Sequence, residues 1–436
     1  HYQNIQREYN QSLRGAIEQA YSEPMPEYNA LDIQWSGDAC GCVPKEIATT
    51  AYGIYPYWHT TETPQKFDFS TFSRVAYFGL SVNSNGHLVQ INAKNQAQTL
   101  VHSHTESNKA FISTARRYGS KVDWIIEKDW SEYSNEAIDS STAPLEAVLN
   151  NLKLNIVTLL ATPLTDVESV LRPYLSLGIA AQPTNGDGVT LYFKNFPTSD
   201  AAKKIFESFF NNLKQELKVL AEKRDSFHQN KNRIYVNLLI KQDEFTADEG
   251  VFTSINIDQL LNTQQLVDRN LSQIEMQDEV QSVVVLMLEE PYYSALDEIY
   301  ALTSGTSRAL IMPMMIANYA DMNKREQRDA MRKGMASDER FKKLAYIHES
   351  FGGGAFWPIT TWDKPGYEGF NDYVATHFAP GYSESGWNEK LCAYRWQLIS
   401  IMNIWLIVAI IFVLIVFYIY PQKCKRLPPY IDWLSK

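Results

Sequence analysis

Cysteine is scarce: four in 436 residues, too few to staple together a scaffold of this length. Glycine (20) and proline (18) are also sparse, which excludes a collagen-like or low-complexity chain. Cations are outnumbered, 40 Lys and Arg against 50 Asp and Glu, and the formal net charge is −10. Binding to nucleic acid rests on neutralising phosphates, so no nucleic-acid partner is expected. What the chain does have is apolar content, 45% of residues with 13% aromatic, enough for a sizeable core in one large or two to three ordinary domains.

One stretch lacks charge and proline altogether. Leu398 to Tyr420 reads LISIMNIWLIVAIIFVLIVFYIY, 23 residues that as a helix extend about 34 Å, sufficient to cross a bilayer's hydrocarbon core. Trp396 and Trp405 near one end and Tyr418 and Tyr420 at the other suit interfacial aromatic belts. Lys423, Lys425 and Arg426 follow at once, and the positive-inside rule puts this short basic tail, residues 421–436, in the cytoplasm. The tail carries four cations and one anion, which leaves −13 on the part ahead of the span. That part is then exported, and an export signal removed ahead of His1 is expected. Asn403, in the outer half of the span, is suited to hydrogen-bond a neighbouring helix.

In the exported part, Tyr2, Ile5, Tyr9, Leu13, Ile17 and Tyr21 recur at helical spacing and predict an amphipathic helix within an N-terminal extension, residues 1–47. Cys40, Cys42 and Cys392 are its only cysteines; Cys392 can bridge to one of the other two, and no metal site or cofactor is expected. From about residue 48 to 390, short β-rich runs alternate with helical patterns. The runs are Thr50–Tyr57, Arg74–Val82, Lys121–Ile126, Gly188–Phe193, Arg233–Ile240, Ser282–Leu288, Arg308–Ile316 and Gly354–Ile359. Ile205, Phe209, Leu213, Leu217 and Leu220 mark one face of a helix over 199–222. Eight strands alternating with helices predict an α/β fold, a (β/α)8 TIM-type barrel. Segments 131–142 and 243–262 are expected to be irregular.

Three runs carry more than strand propensity. Tyr52-Gly-Ile-Tyr-Pro-Tyr-Trp58, Asp187-Gly-Val-Thr-Leu-Tyr-Phe-Lys194 and Phe351-Gly-Gly-Gly-Ala-Phe-Trp357 resemble the first, fourth and eighth strands of chitinase-type glycoside hydrolases (family eighteen). Val283-Val-Val-Leu-Met-Leu-Glu-Glu-Pro-Tyr-Tyr293 is a weaker match to the sixth. The family's fourth strand reads Asp-Gly-x-Asp-x-Asp-x-Glu, and its glutamate protonates the glycosidic oxygen in a substrate-assisted mechanism. Here Asp187 matches the first position, while Thr190, Tyr192 and Lys194 replace the two aspartates and the glutamate. A lysine, with an ordinary pKa of about 10.4, does not serve as that acid. The resemblance therefore implies a barrel that has lost the family's hydrolysis.

Candidate residues follow. Tyr55, Trp58, Tyr77, Tyr292, Tyr293 and Trp357 could stack a sugar in a retained cleft, or fill a cleft that has closed. Glu127, Asp129, Glu289 and Glu290 end the third and sixth runs and are the alternative acids, or else an acidic rim salt-bridged to Lys194 or Lys128. The leading expectation is a membrane-anchored, non-catalytic barrel at a bacterial inner membrane, facing the periplasm. It would act as a structural or docking subunit beside other envelope proteins, with a GlcNAc-containing glycan such as peptidoglycan as a further ligand. The rival is an active glycoside hydrolase using substitute acids at the barrel mouth.

Overall fold

The computed structural model describes residues 50–56, 72–91, 97–99, 111–112, 115–116, 120–165, 167–175, 182–224, 234–261, 280–288, 292–303, 305–316, 346–347, 350–357, 359 and 395–419. The expected leading helix, Cys40, Cys42, Trp58, Glu289, Glu290, Cys392 and the basic tail lie outside the described residues, as do the side chains of Tyr292 and Tyr293.

The strands are β1 (Thr50–Pro56), β2 (Arg74–Val82), β3 (Leu88–Ile91), β4 (Ala97–Thr99), β5 (Lys121–Asp129), β6 (Gly188–Lys194), β7 (Ile234–Lys241), β8 (Val280–Gln281), β9 (Val284–Met287), β10 (Ile311–Ile316) and β11 (Gly353–Trp357). Eight of them, β1, β2, β5, β6, β7, β9, β10 and β11, pair in that order through parallel ladders, and β11 pairs back to β1. The sheet is thus closed. These strands are the eight runs expected from the sequence, with no end shifted by more than three residues.

Closure explains the burial pattern. Both faces of every barrel strand are covered, so β6 is buried from Gly188 to Phe193 without alternation. Side chains two apart still separate into two layers. Tyr52, Ile54, Ala76, Ile125, Tyr192, Leu239, Val285, Met312, Met314 and Ala355 fill the interior. The alternate residues, including Val75, Tyr77, Trp124, Ile126, Leu191 and Phe193, face the helices. The last strand depends on glycine. A Cβ on Gly352 would strike the carbonyl of Ala309, and one on Gly353 would strike that of Thr50 across the closing seam.

The helices are α1 (Asn135–Ser140), α2 (Ala143–Ala161), α3 (Val167–Leu175), α4 (Asp200–Arg224), α5 (Gln242–Thr246), α6 (Ser254–Leu260), α7 (Tyr292–Leu302), α8 (Gly305–Arg308) and α9 (Arg395–Ile419). In α4, Phe206, Phe209, Phe210, Leu213 and Leu217 are buried at three-to-four spacing, and Phe206 meets Phe193, Phe196 and Phe252 edge-on. α9 is long and apolar enough over Leu398–Tyr418 to cross a membrane, and none of that span is buried within the protein.

The structure corrects two expectations. Segments 131–142 and 243–261 are irregular only in part: α1 starts on a Ser134 hydroxyl cap and α6 on a Thr253 cap, while α5 follows β7 directly. The sequence reading also lacks the antiparallel hairpin of β2 and β3, to which β4 adds. The Asn83 carboxamide accepts from the Asn85 and His87 amides, and Gly86 takes a positive φ of 84°, folding the chain back along β2. Asn85-Gly86 is a turn signal that could have revealed it.

Candidate functional site at the barrel mouth

The strands run parallel, so their C-terminal ends make one rim, the face on which barrel enzymes build active sites. On β6 the alternation expected from the sequence holds: Thr190, Tyr192 and Lys194 rise along the inner face, from mid-barrel to rim. Each is already engaged.

At mid-barrel the Thr190 hydroxyl lies 2.6 Å from Tyr52 Oη and accepts from Asn237 Nδ2 at 3.3 Å. The same Asn237 amide donates to Asp123 Oδ2 at 3.1 Å, and Arg74 Nε donates to that oxygen at 3.0 Å. The second Arg74 contact, from Nη2 to Asp123 Oδ1, completes a two-pronged pair. Burial works against the Arg74 charge, but the Asp123 carboxylate outweighs it and raises the guanidinium's pKa. This polar band belongs to the packed interior of the barrel. A completed hydrogen-bond network of this kind leaves no group free for a ligand.

Asp187, the position matching the family's first aspartate, stands at the opposite end from the rim. Its Oδ2 accepts from Val122 N–H at 2.9 Å and lies 3.3 Å from Arg116 Nη2. Burial alone would raise its pKa. The charges of Arg116 and Lys121 and the Val122 amide win, holding the carboxyl well below the usual range. Asp187 ties β6 to β5 and has a structural role.

At the rim, Lys194 Nζ donates to Glu127 Oε1 across the β5–β6 ladder, with both side chains only partly exposed. Lys194 also lies 5.0 Å from the Tyr192 ring centroid. The Lys194 ammonium is thus paired with Glu127, one of the acids singled out from the sequence. Asp129 is exposed, and its carboxylate accepts from Asn195 Nδ2 at 3.0 Å and from Ser131 N–H at 2.9 Å. Those bonds, led by the one from Asn195, lower its pKa, which suits a loop-fixing carboxylate better than a proton donor. Lys128 points away from the rim, pairing with Glu132 at 2.9 Å.

The aromatic candidates divide. Trp357 is inward, half-buried, and meets Phe78 edge-on at 5.4 Å, forming an aromatic corner between β11 and β2. Tyr55 and Tyr77 lie elsewhere: both are buried in the strand–helix layer, Tyr55 4.7 Å and Tyr77 5.4 Å from the Phe111 ring. Their register accounts for this. Tyr52 and Ile54 point inward on β1, and Ala76 does on β2, so Tyr55 and Tyr77 must point outward. They do not line the mouth.

Sequence reasoning overlooked two groups. Phe78 is marked as inward by its spacing from Ala76. Glu244 on α5, just beyond the end of β7, is a half-buried carboxylate whose pKa burial raises. Asp243 and Glu244 lie close enough to Tyr192 that, with burial first and Glu127 next, they help push its phenol up to about 12. Among the described residues the rim thus gathers three carboxylates, Glu127, Asp243 and Glu244, with Lys194, Lys241 and Tyr192. Among the described residues, no group of three or more His, Cys, Asp or Glu could hold a metal ion.

No model of a known protein family matches this chain, and no curated protein does. Among solved structures it is similar to a chitinase from Bacteroides thetaiotaomicron, with 9% identity over 78% of this chain and 97% of that one and a TM-score of 0.44. A chitinase from Rhizomucor miehei is 11% identical over 74% of this chain and 99% of that one, with a TM-score of 0.42. The spore cortex-lytic enzyme SleL from Bacillus megaterium QM B1551 is 10% identical over 75% and 74%, with a TM-score of 0.42. The protein is a (β/α)8 barrel similar to those of chitinases, and its assignment as a closed barrel rests on the strand pairings themselves.

Proposed function

We propose that this chain is a membrane-anchored, non-catalytic relative of glycoside hydrolase barrels, serving as a structural or docking subunit among cell-envelope proteins. The observation that carries the reading is the Lys194–Glu127 pair. It sits at the end of β6, where the resemblance calls for a proton donor, and it offers an ammonium already bound to a carboxylate. α9 supplies the anchor, and the basic residues after it argue for a cytoplasmic C-terminus and an exported barrel, facing the periplasm if the cell is bacterial. Trp357 and Phe78 remain as an aromatic corner on which a GlcNAc-containing glycan could stack.

The test is incubation of the detergent-solubilised full chain with GlcNAc oligomers and with peptidoglycan fragments, followed by product analysis. Absence of cleavage, with co-purification of stoichiometric membrane proteins after gentle extraction, supports the reading. Turnover by the wild type overturns it.

Glu244 favours one second reading. A half-buried carboxyl with a raised pKa at a barrel mouth is the kind of group that donates protons. If turnover is seen and Glu244→Gln abolishes it while Glu127→Gln does not, the barrel is a hydrolase with a relocated acid.

A further inference from the structure

Helix α3 is amphipathic in the wrong direction for a soluble protein. Val167, Val170, Leu171 and Tyr174 recur at i, i+3, i+4 and i+7 and form one apolar stripe. That stripe faces outward: the four residues are 74%, 39%, 43% and 76% exposed, whereas Ser169 on the opposite side is buried. An apolar helix face left uncovered marks a surface that meets something other than water.

A second, independent observation identifies what it meets. The Asn403 Nδ2 of α9 donates to the Leu175 carbonyl at 2.8 Å. Leu175 is the last residue of α3, so its carbonyl has no partner within that helix and is free to accept. Asn403 follows the start of the span at Leu398 by five residues, which along a helix is about 7.5 Å. Amphipathic helices that lie in a membrane interface bury their apolar face about 5–10 Å into the headgroup–acyl boundary. The bond therefore holds the end of α3 at the depth where such a helix belongs.

We propose that α3 is a membrane-seated helix, its Val167–Val170–Leu171–Tyr174 stripe resting in the lipid leaflet from which α9 emerges. The occupant of the stripe is the bilayer surface, and the Asn403–Leu175 bond couples the seated helix to the span. The barrel is then attached at two places, by the chain leading into α9 and by α3, which fixes its tilt over the membrane. This inference rests on the reading of α9 as a membrane span.

The test uses the full chain in phosphatidylcholine vesicles doped with a phospholipid that carries a diazirine high on its acyl chain. After illumination, cross-linked residues are mapped by mass spectrometry. Labelling of both 398–418 and 167–175, with the exposed Leu154 on α2 unlabelled, is the expected result. The double variant Leu171→Glu/Tyr174→Glu should lower labelling of 167–175 several-fold and leave that of 398–418 unchanged. Both side chains are exposed, so the barrel's melting temperature should hold in that variant. Labelling confined to 398–418 overturns the inference and leaves the anchor standing, with a protein partner or second copy as the cover of α3. Absence of label from both segments overturns the anchor reading and this one together.

Discussion

Two buried carboxylates with different surroundings make separable predictions. Asp123 has lost all contact with water and faces Arg74 inside the barrel. Asp123→Asn leaves that guanidinium uncompensated and should cost about 3–5 kcal/mol, read as a fall in the denaturation midpoint. Asp187, by contrast, titrates in an accessible direction. Its folded pKa lies below the unfolded value of about 3.9, so its contribution to stability is complete above that value and is lost as the pH falls towards the folded one. Thermal melts of the solubilised full chain between pH 6 and pH 3 should show a decline that is shallower in Asp187→Asn, which starts from a lower melting temperature. An equal slope in both proteins would mean that Asp187 does not carry the effect.

Among elements, packing decides which changes matter. Phe206 is fully buried between α4 and the outer faces of the strands, so Phe206→Ala should cost about 3–5 kcal/mol. Leu154→Ala, on the exposed side of α2, should stay within about 0.5 kcal/mol. Chemical denaturation of the two variants checks the contrast. The same logic explains what could be foreseen. All eight barrel strands were legible because β-rich runs stand apart from the helical periods between them. Inward and outward faces were harder, since a strand buried on both sides has no polar alternation to mark them. For that reason the sequence leaves open whether Tyr55 and Tyr77 line a cleft or fill one, and it is the strand register that turns both towards the helices. Glu244 escaped notice because its place at the rim depends on α5 starting directly after Lys241, in a segment expected to be irregular. On β6 the two-residue spacing of Thr190, Tyr192 and Lys194 was enough to foresee their common face.

For the whole molecule, α9 is the part whose removal should change behaviour without touching the barrel. A chain ending before Arg395 keeps at most the peripheral contact of α3, so carbonate extraction should release it and fail to release the intact chain. Protease added to sealed vesicles of known orientation should digest the barrel from one side only, and the side identifies the exported face.

Closure of the barrel through β11 and β1 also sets a schedule. Thr50 pairs with Gly353, some 303 residues later in the chain. At synthesis rates of about 5–20 residues per second, roughly 15–60 s pass before the partner exists. Throughout that interval β1 can pair on one side with β2, while its other edge offers unmet amides and carbonyls to any strand nearby. A newborn chain of this protein therefore spends roughly a quarter of a minute to a full minute as an open sheet, and crowding among nascent copies is most hazardous to it then.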